Sequence, residues 1–126
     1  MSKDHKPLEA GQVWTYKTRP GEEASRIIIC RIEQDPRLGE IVHIQVGGVD
    51  LMTKQGPQGV NVIGHAPYSG EALRKDLISL EAAGVALPDF EGGYADWRAA
   101  FDEGNAGVWT APITTMIGGI ERAMNQ

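Results

Sequence analysis

The stretch SRIIICRIE, residues Ser25–Glu33, decides the fold because it is nearly all apolar and rich in β-branched isoleucine. Short apolar runs of this kind are typical of strands that are buried on both faces. The stretch therefore predicts the central strand of a sheet. Cys30 lies inside it, flanked by isoleucines, and is predicted to be a buried structural thiol, since reactive cysteines need an electropositive and partly exposed setting. By alternation, Arg31 points away from Cys30.

Two flanking stretches also read as strands. QVWTYKT (Gln12–Thr18) alternates Trp and Tyr with Val, Thr and Lys, and EIVHIQV (Glu40–Val46) places three apolar residues on one face and His43 on the other. Turn-forming residues separate these strands, which predicts antiparallel hairpins. Val60–Gly64 adds a further short strand. We therefore expect an antiparallel, strongly bent sheet of about five short strands that could close like a barrel.

The second half of the chain reads as helices. Ser69 is a candidate cap for a helix over Glu71–Ala83, whose leucines fall on one stripe. A second helix is predicted over about Tyr94–Glu103 and a third over about Ile113–Met124. Strands followed by helices indicate an α+β fold, in which three C-terminal helices pack on an N-terminal sheet.

The 126 residues fit a single domain, which we predict to span the chain. Within it, residues 1–10 are expected to be flexible, residues 11–66 to form the sheet and residues 67–126 to be helical. With one cysteine the chain cannot form an internal disulfide, which is typical of proteins from a reducing compartment. No signal-like or membrane-spanning apolar run is visible, so a soluble cytoplasmic protein is expected.

The charge is uneven along the chain. Residues 1–66 hold eight acidic and eight basic side chains, whereas residues 67–126 hold nine acidic and four basic ones, so the net charge of −5 lies in the second half. Nucleic-acid binding normally needs a basic face. The charge therefore disfavours a nucleic-acid partner and is compatible with a basic protein partner.

Candidate binding residues lie near the start of the helical half. His65 precedes Pro67 and the predicted helix cap, where its imidazole could act as a base or a pH-sensitive anchor, with Tyr68 facing the same corner. A plain structural role, in which His65 locks the corner through a backbone carbonyl, is favoured because no nucleophile or acid accompanies it. Phe90 and Tyr94 lie close together around the following loop and serve either as core residues or as an exposed binding rim.

His43 is the remaining candidate. If its strand pairs with the strand that ends near His65, the two imidazoles could converge. No metal-binding spacing such as His-Glu-x-x-His or Cys-x-x-Cys is present, and no nucleotide-binding or nucleophile motif is found either. We therefore expect no metal, no cofactor and no catalytic residues, which leans against an enzyme.

Four phrases together carry a resemblance: GQVWTYKTRPGEEASR, IVHIQV, IGHAPYS and LPDFEGGYADWRAAFDEGNAGVWT. They resemble a family of small bacterial cytoplasmic proteins of unknown function, which implies a bacterial origin but brings no activity and no site residue. GQVWTYK alone is also similar to the start of small curled barrels, some of them nucleic-acid or toxin modules.

Three functions are compatible with these observations. The first is a non-enzymatic protein-interaction module, such as an immunity or adaptor protein, acting as a monomer or homodimer without nucleic acid or membrane. The second is a small-ligand-binding protein or minor enzyme with a pocket near His65, lined by Tyr68 and His43. The third, disfavoured by the charge, is a nucleic-acid-binding barrel.

Overall fold

The fold is α+β, with an open antiparallel sheet of five strands and three helices in a computed structural model that describes residues 7–53, 56–57 and 62–125. The elements in chain order are β1 (Val13–Tyr16), β2 (Arg26–Asp35), β3 (Gly39–Gly47), β4 (Met52–Thr53), β5 (Gly56–Pro57), β6 (Val62–Ser69), α1 (Gly70–Asp76), β7 (Leu77–Ala82), α2 (Glu91–Asp102) and α3 (Ile113–Met124). The strand order in the sheet is β6-β3-β2-β1-β7, and β4 and β5 form a separate two-stranded ribbon. Because β6 and β7 lie at opposite edges, the sheet does not close into a barrel.

Strand β2 is central, as its apolar sequence predicts. It pairs with β1 on one side and β3 on the other, and Ile27 and Ile29 are fully buried. The pairing with β3 shifts by one residue between Ile29 and Arg31, so Cys30 is the extra residue of a β-bulge. A bulge exchanges the faces of all residues that follow it. Strict alternation from Ile29 would turn Arg31 towards the main core, whereas the bulge sends it to the opposite face.

The main core lies between one face of the sheet and the helices α1 and α3. Trp14 and Ile44 from the sheet meet Leu73 of α1 and Met116 and Ile117 of α3, all of them almost fully buried. Burying a large apolar side chain contributes about 1.5–3 kcal/mol each. The opposite face of the sheet carries His43 and is covered by α2. The two faces therefore have different chemistry: one is apolar, and the other holds ionisable groups.

The helix predicted over Glu71–Ala83 is wrong in its second half. Ser69 caps the helix as predicted, by accepting a hydrogen bond from the backbone N–H of Ala72 at 3.3 Å, but α1 ends at Asp76. The chain then continues as strand β7, which pairs with β1. Pairing with the open edge of β1 outweighs the helix propensity of this stretch, a tertiary effect that local sequence does not reveal.

The other elements lie close to their predicted positions. α3 has the predicted bounds, and α2 begins three residues earlier than predicted. Some of the predictions concern residues 1–6, Val60 and Asn61. These positions lie outside the described residues. Leu8, inside the segment predicted to be flexible, is buried in the core.

His65 does not lie at a strand-to-helix corner. Strand β6 continues past it to Ser69, and Pro67 pairs with His43 inside the strand. A proline is tolerated there because β6 is an edge strand. The outer edge is partly covered by the segment around Trp109, whose backbone exchanges hydrogen bonds with Ser69 and Pro67 at 3.0 and 2.9 Å.

Candidate functional site

Two histidines meet on the face of the sheet that α2 covers. His43 lies on β3 and His65 on β6, and their neighbouring strands pair antiparallel. A shift in register opposite Gln45 adds one residue to β6, which turns His65 to the same face as His43. Nδ1 of His43 lies 2.9 Å from Nε2 of His65, and the rings stack with centroids 5.1 Å apart. The conditional prediction that the two imidazoles converge is confirmed.

Glu33 reaches the same place from β2. The bulge at Cys30 sets Arg31 directly opposite His43 in the register, and Glu33 follows two residues later on the same face. A carboxylate oxygen of Glu33, Oε2, lies 3.5 Å from Nε2 of His43. The three side chains therefore contact one another in the order carboxylate, imidazole, imidazole. Sequence reasoning missed Glu33 because strict alternation assigns it to the apolar face.

The Glu33 carboxylate is held by three further groups. The hydroxyl of Tyr94 and Nε of Arg31 donate to Oε1, the latter at 3.0 Å, and Nη1 of Arg98 donates to Oε2 at 3.1 Å. Arg31 also lies over the ring of Tyr94, with its guanidinium carbon 4.7 Å from the centroid. The carboxylate thus has donors from both β2 and α2, which fix its position beside His43.

The site keeps Glu33 charged and both imidazoles neutral. Burial tends to raise the pKa of Glu33, but hydrogen bonds from Tyr94 and Arg31 outweigh it, so this pKa is lowered. Burial, together with repulsion from His65, lowers the pKa of His43 to about 4, although Glu33 opposes the change. Burial also lowers the pKa of His65. At neutral pH each imidazole therefore carries one proton and one lone pair.

Aromatic side chains of α2 cover the histidine pair. The ring of His43 meets Tyr94 and Trp97 edge-on, with centroid distances of 4.9 and 4.8 Å. Trp97 Nε1 donates to the carbonyl of Gly107 at 2.8 Å, which fixes the indole in place. Because of this cover His43 is completely buried, with 0% of its surface exposed. The aromatic face of α2 thus serves as a lid on the sheet rather than as an exposed rim.

A small pocket borders His65. Its volume is about 210 Å³, and it is lined by Gly64, His65, Asp89, Phe90, Gly92 and Gly93. A Cβ atom on Gly93 would lie 2.8 Å from Cβ of His65 and 3.7 Å from its Nδ1, whereas a Cβ on Gly92 would meet nothing within 4 Å. Gly93 therefore allows α2 to approach His65 closely. The volume is below the ~300–1,000 Å³ typical of drug-sized ligand sites, so only a small molecule fits.

A larger pocket, of about 520 Å³, lies elsewhere beside Glu40 and Arg74. Glu40 and Arg74 are two of its four charged lining residues, and they already bind one another through both guanidinium Nη atoms. A Cβ at Gly70 would strike the Glu40 carboxylate, so the glycine makes room for this ion pair. We place the candidate site at the smaller pocket because the ionisable cluster of Glu33, His43 and His65 adjoins it.

The structure brings four of the five predicted binding residues together. His43, His65 and Tyr94 form the cluster, and Phe90 lines the pocket, 6.4 Å from Tyr94 between ring centroids. Tyr68 lies apart: it is fully buried on the opposite, apolar face of the sheet. Side chains alternate between the two faces along β6. Tyr68 follows His65 by three residues, an odd number, so it lies on the opposite face.

The structure also bears on the Cys30 thiol, on metal binding and on membrane-spanning helices. Cys30 is almost fully buried, and burial raises the pKa of its thiol to about 11, so it is unreactive at neutral pH. Among the described residues no group of three or more His, Cys, Asp or Glu side chains could hold a metal ion. Within the same residues, no helix has the length and apolar character needed to cross a membrane.

Comparison of the chain with protein-family models, curated proteins and solved structures finds no match. The resemblance to small bacterial proteins therefore stays a prediction. The function has to be argued from the geometry of the site alone.

Proposed function

We propose that this protein binds a small polar molecule in the pocket beside His65. The observation that carries the proposal is the 2.9 Å contact between His43 and His65, which links the pocket to the partly buried carboxylate of Glu33. Buried charged groups are costly unless they are fully paired. Glu33 has only 13% of its side chain exposed and is paired with Arg31 and Arg98, whose side chains remain 51% and 41% exposed.

The pocket supports this proposal because His65 has an unused polar atom there. Its Nε2 is engaged by His43, while no described residue gives Nδ1 a hydrogen bond. Phe90 and three glycines supply the apolar and close-fitting walls that small-ligand sites use.

The test is a fragment screen followed by nuclear magnetic resonance spectroscopy on the ¹⁵N-labelled protein. We expect small hydroxyl- or amine-bearing fragments to shift the amide signals of Gly64, Phe90 and Gly92. The shifts should vanish in His65→Ala and persist in Tyr68→Phe, which alters a buried side chain on the other face. Fragments that bind equally well to His65→Ala, or a screen in which no fragment shifts these signals, would contradict the proposal.

A second candidate function is the protein-interaction module. The observation in its favour is the edge strand β7, on which Ile78 and Leu80 are 54% and 37% exposed. An edge strand with exposed apolar side chains and neither proline nor lysine is open to strand addition by a partner. The acidic second half of the chain would favour a basic partner.

This candidate is tested by comparing capture of a partner by the natural chain and by Ile78→Lys, with Glu71→Lys as the control. Glu71 is an exposed residue of α1, and its replacement makes a larger charge change away from β7. A partner that is lost only with Ile78→Lys supports strand addition at β7. A partner retained by Ile78→Lys, or lost with both variants, contradicts it.

A further inference from the structure

We infer that His65 is a proton acceptor towards the bound molecule, with Glu33 and His43 as positioning residues that fix which ring nitrogen of His65 holds its proton. This inference rests on the proposed function, since it needs a ligand in the same pocket. It adds the direction of the hydrogen bonds and hence the class of ligand.

The direction follows from the charge on Glu33. Its Oε2 atom faces Nε2 of His43 at 3.5 Å, and no described residue makes a hydrogen bond to that nitrogen. A proton on Nε2 is attracted by the carboxylate, whereas a lone pair on Nε2 would be repelled by it. The proton of neutral His43 therefore resides on Nε2, and Nδ1 keeps its lone pair.

The tautomer of His43 determines that of His65. Nδ1 of His43 is then an acceptor, and the atom 2.9 Å away, Nε2 of His65, must be the donor. A neutral His65 that is protonated on Nε2 has its lone pair on Nδ1. This nitrogen lies on the side of the ring that Gly93 approaches, next to the pocket. The chain Glu33–His43–His65 therefore ends in an acceptor at the pocket wall.

The class of ligand follows from the groups that face the pocket. The residues that line it include His65, whose Nδ1 holds the lone pair, the acidic Asp89 and the aromatic Phe90. Acceptors of this kind bind a molecule that donates O–H or N–H, and Asp89 disfavours an anion. The structure assigns the pocket to a small alcohol or amine.

Proton transfer from the bound molecule to His65 needs no further reactant. The O–H or N–H bond of the ligand breaks, its electron pair stays on the ligand atom, and the proton bonds to Nδ1 of His65. The imidazolium that forms can donate through Nε2 to His43, and the negative charge of Glu33 stabilises the pair. Positioned bases of this kind contribute about 10²–10⁴-fold to reaction rates.

The groups that face the two imidazoles also set the pH at which this arrangement exists. They come from β2 (Glu33 and Arg31), from α2 (Tyr94 and Arg98) and from the loop before α2 (Asp89). Burial lowers the pKa of both histidines, so the neutral pair is present at pH 7. Acid protonates the acceptor and abolishes the lone pair.

The experiment is long-range ¹H–¹⁵N spectroscopy of the histidine rings in the ¹⁵N-labelled protein, between pH 5 and pH 8 and without ligand. At pH 7 we expect both histidines to carry the proton on Nε2, with a free lone pair on Nδ1 of His65. In Glu33→Gln the preference of His43 for the proton on Nε2 should weaken, and this is detected as an altered tautomer ratio at pH 7. Glu71→Gln, which removes an exposed charge on α1, should leave both rings unchanged.

A proton on Nδ1 of His65 at pH 7, or rings unaffected by Glu33→Gln, would overturn the inference. The outcome is independent of the fragment screen. Binding to the pocket with the wrong tautomer would contradict the proton acceptor and leave the ligand site standing. The expected tautomer with no fragment bound would contradict the ligand site alone.

Discussion

Gly93 of α2 approaches His65 of β6 so closely that a Cβ atom at position 93 would lie 2.8 Å from Cβ of His65. Real Cβ contacts are longer than this, so any side chain at position 93 must move either the helix or the histidine. The neighbouring Gly92 has open space at the same point. Gly92 and Gly93 are thus neighbouring glycines of α2 in different surroundings. Gly93 sets the distance between α2 and the sheet, whereas Gly92 does not.

Gly93→Ala and Gly92→Ala should therefore have opposite effects on stability. Alanine is favoured over glycine in a helix by about 0.5–1 kcal/mol, so Gly92→Ala should raise the free energy of unfolding by up to this amount. Gly93→Ala should lower it by about 1–3 kcal/mol, as overpacking does. Urea unfolding measures both. Equal stabilisation by the two substitutions would show that α2 does not lie against His65 in this way.

Stability should fall as the pH is lowered below about 6.5. Burial holds the pKa of His43 near 4, below its ordinary value of 6.5, so the unfolded state binds more protons between these two values. The stabilisation is full above pH 6.5 and is lost as the pH falls towards 4. Between pH 7 and pH 5 we expect a loss of about 2 kcal/mol, at about 1.36 kcal/mol for each pKa unit.

The matched variant for this prediction is His43→Phe, which keeps an aromatic ring but cannot titrate. Its free energy of unfolding, measured with urea, should change less between pH 7 and pH 5 than that of the natural chain. His65, whose pKa burial also lowers, accounts for the remaining slope. The lowered pKa of Glu33 acts in the same direction but only below its ordinary value of 4.5. An identical pH slope for both chains would contradict the burial of His43.

Tyr68→Phe should leave the protein as stable as before or make it more stable. The hydroxyl of Tyr68 is buried, and none of the described residues gives it a hydrogen bond. An unsatisfied buried polar group costs about 1–3 kcal/mol, and its removal recovers part of this. Urea unfolding of the variant provides the measurement. A loss of stability greater than 1 kcal/mol would indicate that the hydroxyl has a partner.

Asp76 should stabilise the protein through its hydrogen bond to the first residue of α3. It is almost fully buried, and its Oδ2 atom accepts a hydrogen bond from the backbone N–H of Ile113 at 3.0 Å. Asp76→Ala leaves this N–H without its partner and should cost about 1–3 kcal/mol. Asp76→Asn keeps an acceptor oxygen and should cost less. Equal losses in thermal or urea unfolding would mean that the hydrogen bond is not what matters.

The sequence was sufficient for the parts of the fold that local patterns determine. The apolar stretch of β2, the alternation of β1 and the bounds of α3 all follow from periodicity. Strand β7 could not be predicted, because Leu77–Ala82 is a strand only by pairing with β1, which is distant in the sequence. Local propensity carries no information about such pairing.

Some residues of the site could be predicted from the sequence, and one could not. His43 and His65 could be brought together by assuming that their strands pair, and Phe90 and Tyr94 were visible as neighbours. Glu33 was not, because the single-residue bulge at Cys30 reverses the faces of β2 and nothing in SRIIICRIE indicates a bulge. The carboxylate that gives the histidine pair its direction was therefore not among the predicted site residues.

The direct test of the site is the through-hydrogen-bond ¹⁵N–¹⁵N coupling between the two imidazole rings in the ¹⁵N-histidine-labelled protein at pH 7. Such a coupling arises only when an N–H of one ring donates to a nitrogen of the other. We predict a coupling between Nε2 of His65 and Nδ1 of His43, which is lost in Gly93→Ala and retained in Gly92→Ala. Absence of the coupling in the natural chain, with the two rings titrating independently, would contradict the paired histidines on which the proposed site depends.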